Sequence, residues 1–217
     1  VASYEVGYKA TLHDGATTLS AAAFHYDYSD FQVAQVIGIV GVIANAGDAT
    51  IDGFELEVTS NVGDDWTLSA GLTLLDSAYG DFLNTDALQG DAGVLQNKGN
   101  PLNKAPEQSL NVGIVRNMTF DSGASLALSL NTAYRSRTYF REFGQIDDSQ
   151  AAYTVVNFNA NFETADELFT TRFFVNNATN EAYITDMSTG DSQYGRHAAW
   201  GMPRHIGIEL TRHFGTR

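Results

Sequence analysis

A strict two-residue alternation of apolar and polar side chains runs through this chain from end to end, and helical periodicity is almost absent. In residues 66–74 every second residue is apolar, and the positions between them are Thr, Ser and Gly. The same alternation returns around Leu128 and again around Ile208. Side chains on a β-strand point alternately to the two faces of a sheet, so this pattern indicates half-buried strands. The sequence therefore predicts an all-β protein.

Counting the alternating segments predicts about nine strands. Short polar turns connect some neighbouring segments, and long irregular segments at 37–47, 76–105, 136–151 and 178–203 connect the others in strict alternation. Short turns then fall at one end of the sheet and long loops at the other. The predicted strands are 2–12, 17–36, 44–60, 66–79, 109–120, 125–137, 153–163, 169–177 and 203–214.

This sorting of connections by length favours an antiparallel up-and-down transmembrane β-barrel, in which periplasmic turns are short and extracellular loops are long. A soluble sandwich also alternates, but its loops have no reason to sort by length, and it stays open as the simpler interpretation. Segments 17–36 and 44–60 are longer than a bilayer requires, so their ends are expected to project outward as a ribbon. Aromatic residues near the strand ends are expected to form interfacial belts: Phe24, Tyr26, Tyr28, Trp66, Phe120, Tyr134, Tyr139, Phe169 and Phe214.

Composition removes several other classes of function. The net charge of −14 argues against a nucleic-acid partner. Without cysteine there is no disulfide, thiolate metal site or thiol nucleophile. The longest apolar stretch, near Val33, is interrupted by Gln and Gly and is too short for a membrane helix. A chain that opens at Val1 with an odd number of strands is expected to be an excised piece, since bacterial barrels have even counts.

Several motifs resemble, in the same order, those of the C-terminal half of TonB-dependent outer-membrane receptors. Each motif is weak alone, but together they span nearly the whole chain. They are YEVGYK at 4–9, a DG turn at 14–15, LSAAAFHYDYSDFQ at 19–32, NAGDATIDGFELE at 45–57, NKAP at 103–106, FVNNATNEAY at 174–183 and PRHIGIEL at 203–210.

This resemblance implies that residues 1–217 form the last nine or so strands of a 22-stranded barrel in the bacterial outer membrane. The plug domain that contacts TonB has no counterpart here. The resemblance implies a lipid and lipopolysaccharide environment, and a scarce nutrient as ligand: a ferric siderophore, haem, cobalamin or a sugar. It also implies assembly by the barrel-assembly machinery, which reads a terminal aromatic residue such as Phe214. The alternative is a small self-contained pore or adhesin barrel.

Alternation assigns a set of polar residues to the lumen of such a barrel, where the resemblance implies contacts with the plug. The set includes Asp27, Glu55, Glu57, Asn131 and Asn159. Glu55 and Glu57 point the same way, about 7 Å apart, which is a spacing seen in glycosidase carboxylate pairs. Wet barrel interiors are ordinarily polar, however, so no catalytic residue is assigned and the chain is not expected to be an enzyme.

Two groups of residues in the long loops are candidate ligand contacts. Their cations and aromatic rings suit an anionic chelate through charge-assisted hydrogen bonds and stacking. The alternatives are that the arginines offset nearby acids, such as Glu142, Asp147 and Asp148, or contact lipopolysaccharide. The candidates are Arg135, Arg137, Tyr139 and Arg141 in one loop, with Phe140 beside them, and Tyr194, Arg196, His197 and Trp200 in another.

No metal site or cofactor is expected. The five histidines lack a close ligand spacing such as HExxH. Asn84, Asp86 and Asp91 offer oxygen ligands that suit calcium, but they do not follow the EF-hand order. A solvated loop is the preferred interpretation for these three residues.

Overall fold

The computed structural model describes residues 1–37, 40–45, 47–189 and 194–214. Within these ranges the chain forms strands connected by turns and loops, with two short 3₁₀ helices at Ala87–Ala92 and Ile146–Asp148. The strands are β1 (Ala2–Leu12), β2 (Thr17–Tyr28), β3 (Gln32–Ile37), β4 (Val40–Asn45), β5 (Ala49–Val62), β6 (Trp66–Tyr79), β7 (Leu83–Thr85), β8 (Val94–Gln96), β9 (Gln108–Thr119), β10 (Ser125–Arg135), β11 (Thr138–Tyr139), β12 (Ser149–Gln150), β13 (Tyr153–Glu163), β14 (Phe169–Asn176), β15 (Ile184–Thr189), β16 (Arg196–Trp200) and β17 (His205–Arg212).

The main sheet of the described chain has nine strands in the order β1-β2-β5-β6-β9-β10-β13-β14-β17. Every neighbouring pair in this sheet is antiparallel. The prediction of an all-β, antiparallel arrangement is therefore confirmed. No helix in the described ranges has the length and the apolar character needed to cross a bilayer.

Four short turns join the strands at one end of the sheet, at residues 13–16, 63–65, 120–124 and 164–168. In the first turn, His13 and Asp14 have φ values of 53° and 54°, and Gly15 follows at 94°. Asp tolerates the left-handed conformation better than most residues, and Gly adopts it without a steric cost. In the last turn, the Asp166 carboxylate accepts hydrogen bonds from the Thr164 hydroxyl at 2.6 Å and the Leu168 amide at 3.1 Å. Left-handed backbone conformations and local side-chain hydrogen bonds therefore form the tight turns at this end of the sheet.

Four long loops cover the other end, at residues 29–48, 80–107, 136–152 and 177–204. Each contains a separate two-stranded ribbon: β3–β4, β7–β8, β11–β12 and β15–β16 respectively. The expected outward ribbon is therefore present, but the prediction of continuous strands over 17–36 and 44–60 is wrong. Asp30, at φ 55°, ends the run of extended backbone after β2. The Phe31 amide then donates to the Gly47 carbonyl at 2.9 Å and closes the base of the ribbon.

The strand register sorts the side chains of the sheet into two chemically different faces, because directly opposite residues share a face. One face, here called the apolar face, exposes large side chains, and Tyr4 and Ile208 are 67% and 74% exposed. It includes Tyr4, Val6, Phe54, Leu72, Leu74, Leu110, Leu128, Leu130, Phe158, Phe173 and Ile208. The opposite, polar face includes Glu55, Glu57, Ser69, Thr73, Asn111, Asn131, Asn157, Asn159, Arg172 and Glu209.

The buried core lies at the long-loop end. Ala49, Tyr79, Phe82 and Leu102 are its most buried apolar residues. A ladder of rings leads to it, with successive centroid distances of 5.0 to 6.4 Å, through Phe24, Tyr26, Tyr28, Phe31, Tyr79 and Phe82.

This ladder corrects the expectation that Phe24, Tyr26 and Tyr28 belong to an interfacial belt. All three lie on the polar face and lead into the loop core, whereas Trp66 and Phe169 lie on the apolar face. Phe24 finds room there because it packs directly on Gly53, where an added Cβ would lie 2.1 Å from the ring.

Candidate functional site

Four of the five residues predicted to line a lumen do share the polar face. Glu55 lies opposite Thr73, Glu57 opposite Gly71, and Asn131 and Asn159 continue the same face across β10 and β13. The register places Asp27 on the opposite, apolar face, where it lies opposite Ala2 and Thr50. Grouping Asp27 with the other four is therefore wrong.

The reason is that the polarity of β2 inverts near its long-loop end. Its aromatic residues Tyr26 and Tyr28 occupy the polar face, so His25 and Asp27 fall on the apolar face. There the His25 ring contacts the carboxylates of Asp27 at 3.1 Å and Asp52 at 2.8 Å. Polarity alone could not assign the face of this segment.

The polar face carries an open recess. The recess, of about 490 Å³, is lined by Glu57, Ser69, Asn111, Asn131 and Asn157, among others. On β14, Arg172 donates to the Asn159 side-chain oxygen from Nε at 3.3 Å and from Nη2 at 3.0 Å. This hydrogen-bonding surface suits contact with water or with another polar protein surface. In the part of the chain that the structure describes, no three His, Asp or Glu side chains are grouped so as to hold a metal ion.

Four charged side chains from three long loops meet in a buried cluster, here called the charge clasp: Asp86, Arg141, Asp148 and Arg196. Arg141 donates from Nη2 to Asp86 at 2.6 Å and from Nη1 to Asp148 at 2.9 Å. Arg196 donates from Nε to the second oxygen of Asp148 at 2.5 Å. The side chains of Asp148 and Asp86 are 0% and 1% exposed. Two carboxylates and two guanidinium groups balance in charge, as burial requires.

Within the clasp, the pKa values of Asp86 and Arg196 are shifted. Burial alone would raise the pKa of Asp86, but hydrogen bonds from Arg141, the Leu88 amide and Gln89 hold that pKa below its usual value. The hydrogen bond to Asp148 raises the pKa of Arg196. Both shifts favour the charged forms, so the clasp persists as an ion-pair network at neutral pH.

The clasp bears on two expectations from the sequence. Arg141 and Arg196, both candidate ligand contacts, are instead paired with the buried Asp148. Pairing with a nearby acid was the alternative to ligand contact. The preference for a solvated loop at Asn84 and Asp86 is wrong, since both are buried and Asn84 hydrogen-bonds the Glu142 carboxylate. The Asp91 side chain lies outside the described residues.

The other predicted contacts are spread over the loop surface. Arg137 donates to the Ser149 hydroxyl at 2.7 Å, and the Tyr139 carbonyl accepts from the Lys104 amide. Tyr194 and Trp200 are 71% and 63% exposed, and His197 is exposed on β16. These residues do not converge on one pocket.

Arg135 lies apart from the clasp in a cavity of about 250 Å³. The cavity is bounded by Arg135 and Tyr153 at the top of the polar face and by Lys104, Phe140, Gln150 and Ile184 from the loops. Arg135 and Tyr153 lie directly opposite each other on β10 and β13. Sequence reasoning missed Lys104 and Tyr153. Lys104 stood within the NKAP motif and Tyr153 began a predicted strand, but nothing in the sequence placed either one beside Arg135.

Comparison with known proteins identifies the family to which the chain belongs. Residues 1–178 match the family described as TonB dependent receptor-like, beta-barrel. The match covers more than half of the 217 residues, so the chain belongs to this family, whose members are outer-membrane receptors and transporters. The resemblance expected from the sequence motifs is confirmed.

Individual relatives are siderophore receptors. A stretch of 75 residues is 36% identical to the probable TonB-dependent siderophore receptor PiuA of Acinetobacter baumannii, covering 35% of this chain and 10% of that protein. The crystal structure of the ferric yersiniabactin uptake receptor FyuA from Yersinia pestis superposes with a TM-score of 0.77 at 20% identity, covering 96% of this chain and 29% of that one. The crystal structure of the siderophore receptor PiuA from A. baumannii gives 0.75 at 20% identity, with 96% and 27% coverage. At this identity the structures establish the fold, and the chain spans less than a third of each relative.

Proposed function

We propose that this chain is the C-terminal part of a 22-stranded outer-membrane barrel that imports a ferric siderophore or similar chelate. The observation that carries the proposal is a nine-stranded meander that exposes its large apolar residues on one face and gathers its amides and charges on the other. A soluble protein would cover such an apolar face, whereas a barrel turns it to lipid. On this proposal the apolar face meets lipid and lipopolysaccharide, and the polar face lines the lumen.

The unpaired edges of the main sheet also support the proposal that further strands complete the barrel. Among the described residues, β1 and β17 each pair with one neighbour in the main sheet, which leaves one side of their backbones without ladder hydrogen bonds there. Unpaired backbone groups are not tolerated in hydrocarbon, so a membrane sheet must close. The missing strands would complete the ring, and a plug domain would fill the lumen against Glu55, Glu57, Asn131 and Asn159.

The long-loop end would then face outward and receive the ligand. Arg135, Lys104 and Tyr153 line a cavity there, and two of the chain's relatives are named as siderophore receptors. TonB would act through the plug domain to release the bound chelate inward. Assembly would proceed through the barrel-assembly machinery with Phe214 as its recognition residue; residues 215–217 lie outside the described ranges.

Iron uptake by the full-length protein tests this function. It would be expressed in a Gram-negative host that lacks its own siderophore receptors, and radioactive iron(III) would be supplied as catecholate and as hydroxamate chelates. We expect uptake of at least one chelate, and loss of that uptake when the host's tonB gene is deleted. Uptake that persists without TonB would instead indicate a passive pore and contradict the proposal.

A further inference from the structure

We propose that the cavity between Arg135, Lys104 and Tyr153 receives one aromatic, oxyanion-bearing arm of the ligand, such as a catecholate or phenolate ring. This inference rests on the proposed function and narrows its substrate class. It distinguishes an aromatic anionic chelate from a hydroxamate chelate or a sugar.

The charge in the cavity selects for an anion. Among the described residues, no carboxylate lies at ion-pair distance from Arg135. A guanidinium has five N–H donors, so donors remain for an incoming oxyanion. Lys104, by contrast, is already neutralised by Asp186 at 2.9 Å. The cavity therefore carries about one uncompensated positive charge, on Arg135.

Arg135 also differs from the other arginines that the sequence singled out. Arg141 and Arg196 donate to buried carboxylates in the charge clasp, and Arg137 donates to Ser149. These contacts fix the loops in place. Arg135 stands on the rim of the sheet at the end of β10, where its charge remains available to a ligand.

One aromatic ring that lines the cavity, that of Tyr153, is stacked on a second tyrosine. Tyr153 and Tyr183 lie parallel, with centroids 4.5 Å apart and an interplanar angle of 12°. Tyr183 packs in turn on Gly201, where an added Cβ would lie 2.2 Å from the ring. Of these two tyrosines, Tyr153 lines the cavity. A planar ring entering from the cavity would extend the stack, which a hydroxamate group or a sugar hydroxyl does less well.

The size and the fixed walls of the cavity define how much of a ligand can enter. Whole-ligand pockets usually measure about 300–1,000 Å³, and this one measures about 250 Å³. It therefore suits a single ring rather than a complete ferric chelate. The Ile184 amide donates to the Gln150 side-chain oxygen at 2.8 Å and ties the third and fourth long loops together at the cavity wall.

The test measures binding of two iron complexes by the full-length protein in detergent, followed by quenching of intrinsic fluorescence. The probes are iron(III) with 2,3-dihydroxybenzoate and iron(III) with acetohydroxamate. We expect the aromatic complex to bind at least tenfold more tightly. Arg135→Gln should weaken its binding at least tenfold, and Tyr153→Leu should weaken it more than Tyr153→Phe, which keeps the ring.

Lys98→Gln is the matched control, because it also removes one loop cation but lies outside the cavity, paired with Asp81. It should leave both affinities unchanged, and resistance to heat on a gel would confirm that every variant is folded. Equal affinity for the two complexes, or no effect of Arg135→Gln and Tyr153→Leu, would overturn the cavity inference and leave the proposed function standing. A wild-type protein that binds neither complex would overturn the inference and count against siderophore binding as well.

Discussion

The sheet and the long-loop end of this molecule differ in the regularity of their backbone and in the burial of their side chains. The sheet has regular antiparallel pairing but leaves side chains on both faces open, with large apolar residues among the exposed ones. The loop end has irregular backbone, yet it holds nearly all of the buried side chains, including the fully buried Asp86 and Asp148. In a typical soluble domain the regular elements would enclose the core and the loops would be exposed.

This difference shows where each region obtains its stability. The sheet depends on backbone hydrogen bonds and on whatever environment covers its apolar face. The loops carry a small core of their own, an aromatic ladder and an ion-pair cluster, so they can hold a defined shape without help from that environment. Substitutions that act on one region and spare the other should separate these two sources of stability.

The largest effect is expected from Asp148→Asn in the charge clasp. The variant removes a carboxylate charge from two arginines, and breaking a buried ion pair costs about 3 kcal/mol or more. Local opening should become about a hundredfold more frequent, measured as hydrogen exchange at the Phe140 amide, which donates to the Asp148 carbonyl. Asp147→Asn, at the exposed neighbouring position, should leave exchange unchanged. Equal exchange in both variants would mean that the clasp does not hold the loops.

The next effect concerns the apolar face. Leu72→Arg places a charge in the middle of β6, between Leu56 and Leu110 on neighbouring strands. If this face meets lipid, the free energy of unfolding should fall by about 2–4 kcal/mol in a refolding titration into lipid vesicles. Thr73→Arg, one residue away on the polar face, should cost much less. A larger cost at Thr73 would show that the faces are assigned the wrong way round.

A smaller effect tests the packing of rings on the polar face. Gly53→Ala would place a Cβ 2.1 Å from the Phe24 ring, and such overpacking costs about 1–3 kcal/mol. Gly71→Ala, on the same face of the neighbouring strand, has no atom within 4 Å of the new Cβ. Thermal unfolding in detergent should therefore distinguish the two variants. If they have the same midpoint, the Phe24 ring can move aside freely.

The smallest effect is the response of the clasp to pH. The folded-state pKa of Asp86 lies below its unfolded value of 3.8, so its contribution to stability is fully present above that value and is lost as pH falls through the folded pKa. Loop protection, corrected for the intrinsic exchange rate, should be the same at pH 7 and pH 5 and should fall only below pH about 4. Loss of protection between pH 7 and pH 5 would contradict the lowered pKa.

The sequence by itself determined the class of fold and most of the sheet. Alternation is a property of each strand alone, so residues such as Leu72 and Thr73 or Leu130 and Asn131 could be sorted to opposite faces without knowing their neighbours. The turn residues His13, Asp14 and Gly15 likewise carry their conformation locally. Alternation failed toward the long-loop end of β2, where Phe24 and Tyr26 occupy the polar face because Gly53 and the loop core offer them a surface for packing. It failed likewise at the facing residues of β5, where Ile51 lies on the polar face and Asp52 on the apolar face.

The tertiary structure alone decided the contacts between loops. Asp86, Arg141, Asp148 and Arg196 are separated by up to 110 positions along the chain, and no local pattern tells an arginine held by a buried acid from one open to a ligand. The same holds for Arg135, Tyr153 and Lys104, which meet only because antiparallel pairing brings β10 and β13 together beneath two folded loops. Ion pairing and burial depend on distance in space, and that distance is fixed only when the loops pack.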